Sequence, residues 1–216
     1  MEVFEPMLSF AEEIYLLALD EEKGKFDIPS KETVFDNVII GAVLAELSFL
    51  NKIDNDQDLV YINDQTMPGS PVLDYVLDYM IKMNMDKYKI YDCIRILAPK
   101  AEEIEKKITD ELVSKKVLKK VNRKFLWFSG SPRYPVIDNH EIKDVETRLR
   151  EIVLGDEIPA PRDAILIGLV NFCGLFGEIL SSKELKRCRE RIDTISKFEL
   201  INGKILRQIE HVKNEQ

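Results

Sequence analysis

AILIGLVNFCGLFGEIL, residues 164–180, is the longest apolar stretch in the chain, and the fold turns on how it is read. A membrane-spanning helix needs about 20 consecutive apolar residues. This run is shorter and is interrupted. It is read as part of a central buried helix over Pro161 to Leu180, around which the other elements of a soluble protein would pack. The class that follows is mainly α, a compact multi-helix domain over residues 1–216 with a few short strands.

The totals agree with that reading. A chain of 216 residues, 45% hydrophobic and 32% charged, is long enough to bury a substantial core. A net charge of −8 and a pI near 5.0 argue against a protein that coats nucleic acid. Three cysteines, Cys93, Cys173 and Cys188, are far apart and odd in number, which predicts buried free thiols and a reducing compartment. MEVFEPMLSFAEE at the N-terminus has neither the basic stretch nor the cleavage site of a signal peptide. The expected location is the cytoplasm.

Outward from the central run, helical spacing recurs. Phe10, Ile14 and Leu17 mark one helix, which ends at Asp20–Gly24. Val34, Val38, Leu44 and Leu47 mark a second over Thr33 to Leu50. LVYIN (59–63) reads as a short strand. The Pro68–Pro71 turn precedes a helix carrying Val72, Val76 and Met80, and Asp86 to Leu97 reads as another helix before Pro99. Ile104, Ile108 and Leu112 continue helical to about Lys115. Glu141 to Leu154, Ser182 to Phe198 (with Ser182 as N-cap) and Lys204 to Val212 complete the set.

Catalytic and metal chemistry find little support. His140 and His211 have no cysteine or carboxylate at zinc spacing. Asp74 and Asp78 share a helical face but lack a third oxygen ligand. No glycine pattern suits a phosphate loop, and no nucleophile motif is present. The expectation is a non-enzymatic protein without a cofactor.

One segment departs from the acidic background. KKVLKKVNRKFLWF (115–128) carries six basic residues in ten positions, Lys115, Lys116, Lys119, Lys120, Arg123 and Lys124, with no acid among them. The period changes here from helix to strand, which predicts a β-hairpin over about 117–128 with its turn at Asn122–Arg123. Three readings stay open. The hairpin could be a wing offering lysines to nucleic-acid phosphates, although EEIEKKITDE just before it would turn acid toward a duplex. It could approach an anionic membrane, where each Lys or Arg contributes about 1 kcal/mol, with Phe125, Trp127 and Phe128 at the interface. Or it is a plain hairpin, with Phe125 and Trp127 on one face and Leu126 and Phe128 on the other.

Several segments, in order, resemble the Golgi phosphoprotein 3 (GPP) family: IYLLALDEEKGKF (14–26), IIGAVLAELSFLNKI (39–53), PGSPVLDYVLDYM (68–80), ITDELVSKKVLKKVNRKFLWF (108–128), YPVID (134–138) and PRDAILIGLVNFCGLF (161–176). The resemblance implies a mostly helical domain with a protruding hairpin. It also implies peripheral membrane proteins that bind phosphatidylinositol 4-phosphate and act as adaptors for glycosyltransferase tails, with a hairpin that helps self-association. The phosphate ligands of that family are not matched. Ile40 stands where an arginine precedes the glycine matching Gly41, Glu102 and Glu105 stand at two further arginine positions, and Lys31 falls near the family's tryptophan. A carboxylate where a phosphate must dock is repulsive. The expectation is therefore a minimal, prokaryotic-type member that meets an anionic phospholipid surface through Lys115, Lys116, Lys119, Lys120, Arg123 and Lys124. Phe125 and Trp127 are expected to make interfacial or oligomer contacts. A homo-oligomer or protein-interaction module is the alternative, and nucleic acid is disfavoured.

Overall fold

A computed structural model describes residues 8–20, 25–26, 32–56, 59–121, 124–125, 128–129 and 133–198. Helices α1 (Phe10–Leu17), α2 (Glu32–Phe49), α3 (Pro71–Lys82), α4 (Ile90–Leu97), α5 (Ala101–Ser114), α6 (His140–Leu154), α7 (Pro161–Cys173), α8 (Phe176–Ile179) and α9 (Ser182–Phe198) dominate. The mainly α class is as the sequence predicts. The short strands are β1 (Leu19–Asp20) with β2 (Lys25–Phe26), β3 (Ile53–Asp56), β4 (Leu59–Ile62) and β5 (Tyr88–Lys89), and β6 (Lys124–Phe125) with β7 (Phe128–Ser129). Among the described residues no helix is long and apolar enough to cross a membrane.

Two helices form the centre because they are apolar on more than one face. α2 touches α1, α3, α4, α5 and α7, with Val38, Ile40, Leu44 and Leu47 buried. In α7 every residue from Ala164 to Val170 is buried. Of the amphipathic helices, α3 and α5 turn a stripe toward α2 and α9 toward α7, while α6 packs on α1 and α9; Ile104, Ile108 and Leu112 of α5 are examples of such a stripe.

The central run is not one helix. At Gly174 the chain enters the left-handed region, φ 72°. Its N–H bonds to Asn171 O at 3.0 Å and the Leu175 N–H to Val170 O at 3.1 Å, a Schellman closure of α7. A separate turn, α8, then carries Phe176 and Ile179 into the core. An added Cβ at Gly174 would meet nothing within 4 Å, so only the backbone conformation opposes substitution. Gly174→Ala is expected to lose about 1 kcal/mol, read as a lower urea midpoint with unchanged slope.

Other boundaries move for local reasons. α4 begins at Ile90 rather than Asp86, because Tyr88 and Lys89 pair with Val60 and Leu59 as the third strand of the β3–β4–β5 sheet. Lys87, at φ 62°, donates to Val60 O, and the Asp86 carboxylate accepts the Ile62 N–H. The cap of α9 is Ser181, not Ser182. Its N–H and hydroxyl both reach Glu184 Oε2, at 3.0 and 2.7 Å, in a capping box. His140 opens α6, with Nδ1 2.8 Å from Asp144. Asp74 accepts the Gly69 N–H while Asp78 pairs with Lys82, so the two do not converge on a cation. Cys93, Cys173 and Cys188 are free thiols. The expected helix at Lys204 to Val212 and His211 lie outside the described residues.

Candidate functional site

The basic hairpin grows out of a buried charge cluster. α1 starts with a capping box: Ser9 Oγ caps the Glu12 N–H, and Glu12 Oε2 accepts the Ser9 N–H at 2.7 Å. The fully buried Glu12 carboxylate also receives the Lys115 ammonium, 2.6 and 2.7 Å from its two oxygens. Lys115 is the C-cap of α5. The first of the six predicted basic residues therefore spends its charge inside the protein and fixes the hairpin's root.

Around this pair lie charges whose partners the sequence does not reveal. Glu13, also buried, takes Arg148 Nη2 at 2.6 Å and Arg162 Nη1 at 3.1 Å. Arg162 donates also to Leu8 O and stacks over Phe10, 4.4 Å from the ring centre. Arg148 Nε lies 3.0 Å from Asp163, within ion-pair range but off the hydrogen-bond direction. Glu46 accepts the Phe10 N–H at 2.8 Å. Glu111 accepts the Val72 N–H at 2.7 Å and the Ser70 hydroxyl at 3.0 Å, closing the N-terminus of α3. Burial raises the carboxyl pKa of Glu13, Glu46 and Glu111, and in each case it outweighs the hydrogen bonds and cations that oppose it. The S-x-x-E spacing of Ser9 and Glu12 is the readable signal for this cluster. Nothing local marks Glu13.

From Lys115 the chain reverses through Lys116 in the left-handed region, φ 63°. The Lys116 N–H bonds to Val113 O and the Val117 N–H to Leu112 O. The outgoing arm then pairs with a returning arm, near the root through Arg133 to Ile137. Bridges join Leu118 to Val136 and Val121 to Arg133, supported by Lys119 N–H to Pro135 O at 3.1 Å and Ile137 N–H to Val117 O at 2.9 Å. Further out, Lys124 pairs with Ser129 and Phe125 with Phe128. This corrects the expected turn at Asn122–Arg123. The innermost pair brackets residues 126–127, and the hairpin extends to Ile137. Phe125 and Phe128 are register partners across the ladder.

Lys116, Lys119 and Lys120 are exposed, as are Val121 and, at 55%, Ile137. Arg133, on the returning arm, is half-buried, and its Nε is a buried donor without an acceptor. Of the other predicted contact residues, Arg123 and Trp127 lie outside the described residues, and Lys124 and Phe125 are placed as backbone in β6. At the positions where the resemblance puts phosphate ligands, Ile40 is buried in the core and Glu102 is exposed. Glu105 accepts the Tyr15 hydroxyl at 3.4 Å. Burial first, then Glu105 and Tyr134, pushes the Tyr15 phenol above its usual range. Lys31 lies outside the described residues. Among the described residues no cluster of His, Cys, Asp or Glu could hold a metal ion.

Comparison with known proteins agrees with this architecture. A VPS74-like protein of Dictyostelium discoideum is 22% identical over 162 residues, which cover 68% of this chain and 61% of that relative. The matched part is thus less than two thirds of the relative's length. The family model for Golgi phosphoprotein 3 (GPP34) matches residues 10–212, from the first residue of α1 to beyond the last described helix. With that match spanning nearly all of its length, the chain belongs to the Golgi phosphoprotein 3 family.

Proposed function

We propose that this is a non-enzymatic domain that docks peripherally on anionic membranes through the hairpin. The observation that carries the reading is Lys116. Three other helix ends reach the left-handed region with Asn51, Asn84 and Gly174, residue types that adopt it at low cost. At the root of the hairpin the same geometry is filled by an exposed lysine, as it is at Lys87, and lysine is conformationally less favourable there than glycine or asparagine. Strain of about 1–3 kcal/mol at such a position points to use of the side chain.

Lys119, Lys120 and Arg133 extend the positive surface, while Val121 and Ile137 supply exposed apolar area beside it. Interfacial insertion of the apolar groups would add to the charge attraction. Lys115 takes no direct part, because its ammonium is held by Glu12. The surface is an open hairpin rather than a pocket, so it favours anionic charge in general over one headgroup. Its expected place is the cytoplasmic face of a membrane.

Vesicle co-sedimentation tests this. Binding is expected to vesicles containing phosphatidylserine and not to pure phosphatidylcholine. It should weaken by at least about 30-fold in Lys119→Glu with Lys120→Glu, since each basic group contributes about 1 kcal/mol and reversal adds repulsion. Absence of sedimentation at low salt, or equal binding to neutral vesicles, would sink the reading. Concentration-dependent assembly lost in Trp127→Ala would favour the hairpin as an oligomer contact instead.

A further inference from the structure

Ile158 is the most exposed large apolar side chain among the described residues, at 95%, where the others fall between 38 and 55%. It lies in the connection between α6 and α7, and that connection is held from several sides. The Gly155 N–H bonds to Glu151 O at 2.9 Å, and a Cβ at Gly155 would stand 2.9 Å from that same oxygen, so only glycine allows the chain to leave α6 here. Arg191 of α9 donates from Nε to Ile152 O at 3.1 Å and from Nη2 to Glu157 O. Pro159 and Pro161 fix φ on the far side of Ile158. Arg162 and Asp163, just beyond, are tied into the buried charge cluster.

We infer that residues 155–160 present Ile158 as an anchor for a protein partner that carries an apolar socket rimmed by basic groups. A branched aliphatic group that stands in water on a backbone tied down at residues 155 and 157 gains nearly its full burial on binding, which is how interface anchors work. Asp156 and Glu157, both exposed beside it, select for a positive rim. They also select against a lipid surface of the kind proposed for the hairpin. The two surfaces stand at opposite ends of α6, whose length separates them by about 22 Å. The inference holds whether or not the hairpin meets a membrane.

The full chain carrying p-benzoylphenylalanine at position 158, with the same group at position 82 as a control, is the probe. After irradiation in cells, a protein crosslinked from 158 but not from 82 is identified, purified and titrated. Ile158→Asp is expected to weaken its binding by at least about 30-fold and Ile158→Leu by no more than about threefold. Asp156→Lys with Glu157→Lys should weaken it and remove its salt sensitivity. Ile158→Asp should leave the thermal midpoint and vesicle binding unchanged, which separates this surface from the fold and from the hairpin. Crosslinking at 158 no stronger than at 82 would overturn the inference. So would crosslinks to lipid, or a purified partner that binds Ile158→Asp as tightly as the parent.

Discussion

Arg162→Met is expected to lower the stability of the fold by about 3–5 kcal/mol, because it leaves the buried Glu13 carboxylate short of a cation while removing little volume. For a chain of this size that corresponds to a fall of about 10 °C in thermal midpoint. The loss should depend on pH in a defined sense. The Glu13 carboxyl already has a folded-state pKa raised from 4.5 by burial, and loss of Arg162 raises it further. An acid with a raised folded pKa binds more protons folded than unfolded, so its folded form weakens as pH rises from the unfolded value through the folded one. The deficit of the variant should therefore shrink toward pH 5 and be largest near pH 8. Glu13→Gln added to Arg162→Met should recover part of it, as two groups in one network do not contribute independently. Urea titrations at the two pH values check both statements, and a deficit independent of pH would mean that Arg162 acts mainly through its stacking on Phe10.

Phe176→Ala is the second large effect, about 3–5 kcal/mol. Phe176 is 2% exposed and lies on the single turn that follows the break at Gly174. A one-turn helix has almost no stability of its own, so this side chain anchors α8 to the core rather than the reverse. Truncation should lower the urea midpoint sharply. Phe49→Ala, on a ring that is 44% exposed at the end of α2, should lose much less.

The same residues show what was legible in the sequence. The mainly helical class followed from repeated apolar spacing, and α2, α5, α6 and α9 lie within a residue or two of the expected spans because each presents a clear stripe or cap. The central run is helical as expected over Pro161–Cys173, but its division required Gly174 to be weighed as a C-cap signal and not as a tolerated interruption. β3 and β5 were missed for a different reason. IDND and YK carry little strand preference, and they become strands because LVYI between them supplies the ladder on both sides.

For the candidate site, the basic composition of the hairpin was plain, while its use was not. Lys115 looked like its neighbours, and only the fold brings Glu12 to it from 103 positions away. The turn was placed too early because Asn122–Arg123 resembles a turn locally, whereas the register is set by Arg133 to Val136, which the loop-like sequence SGSPRYP concealed. Ile158 gave no periodic signal at all. Its exposure is a property of how α6 and α7 are joined.

The bond from Glu12 to Lys115 also bears on the order in which the molecule is made. α1 is the first described helix to be synthesised, yet its carboxylates wait for Lys115, Arg148 and Arg162, the last of them 149 positions from Glu13. Closing loops of that length is entropically costly before the contacts form, so such pairings come late and slow the search. The hairpin arises at the middle of the chain but has its root secured only when the first helix has docked. A nascent chain therefore displays its positive arm beside a Glu13 carboxylate whose first cation, Arg148, arrives only when more than two thirds of the protein has been made.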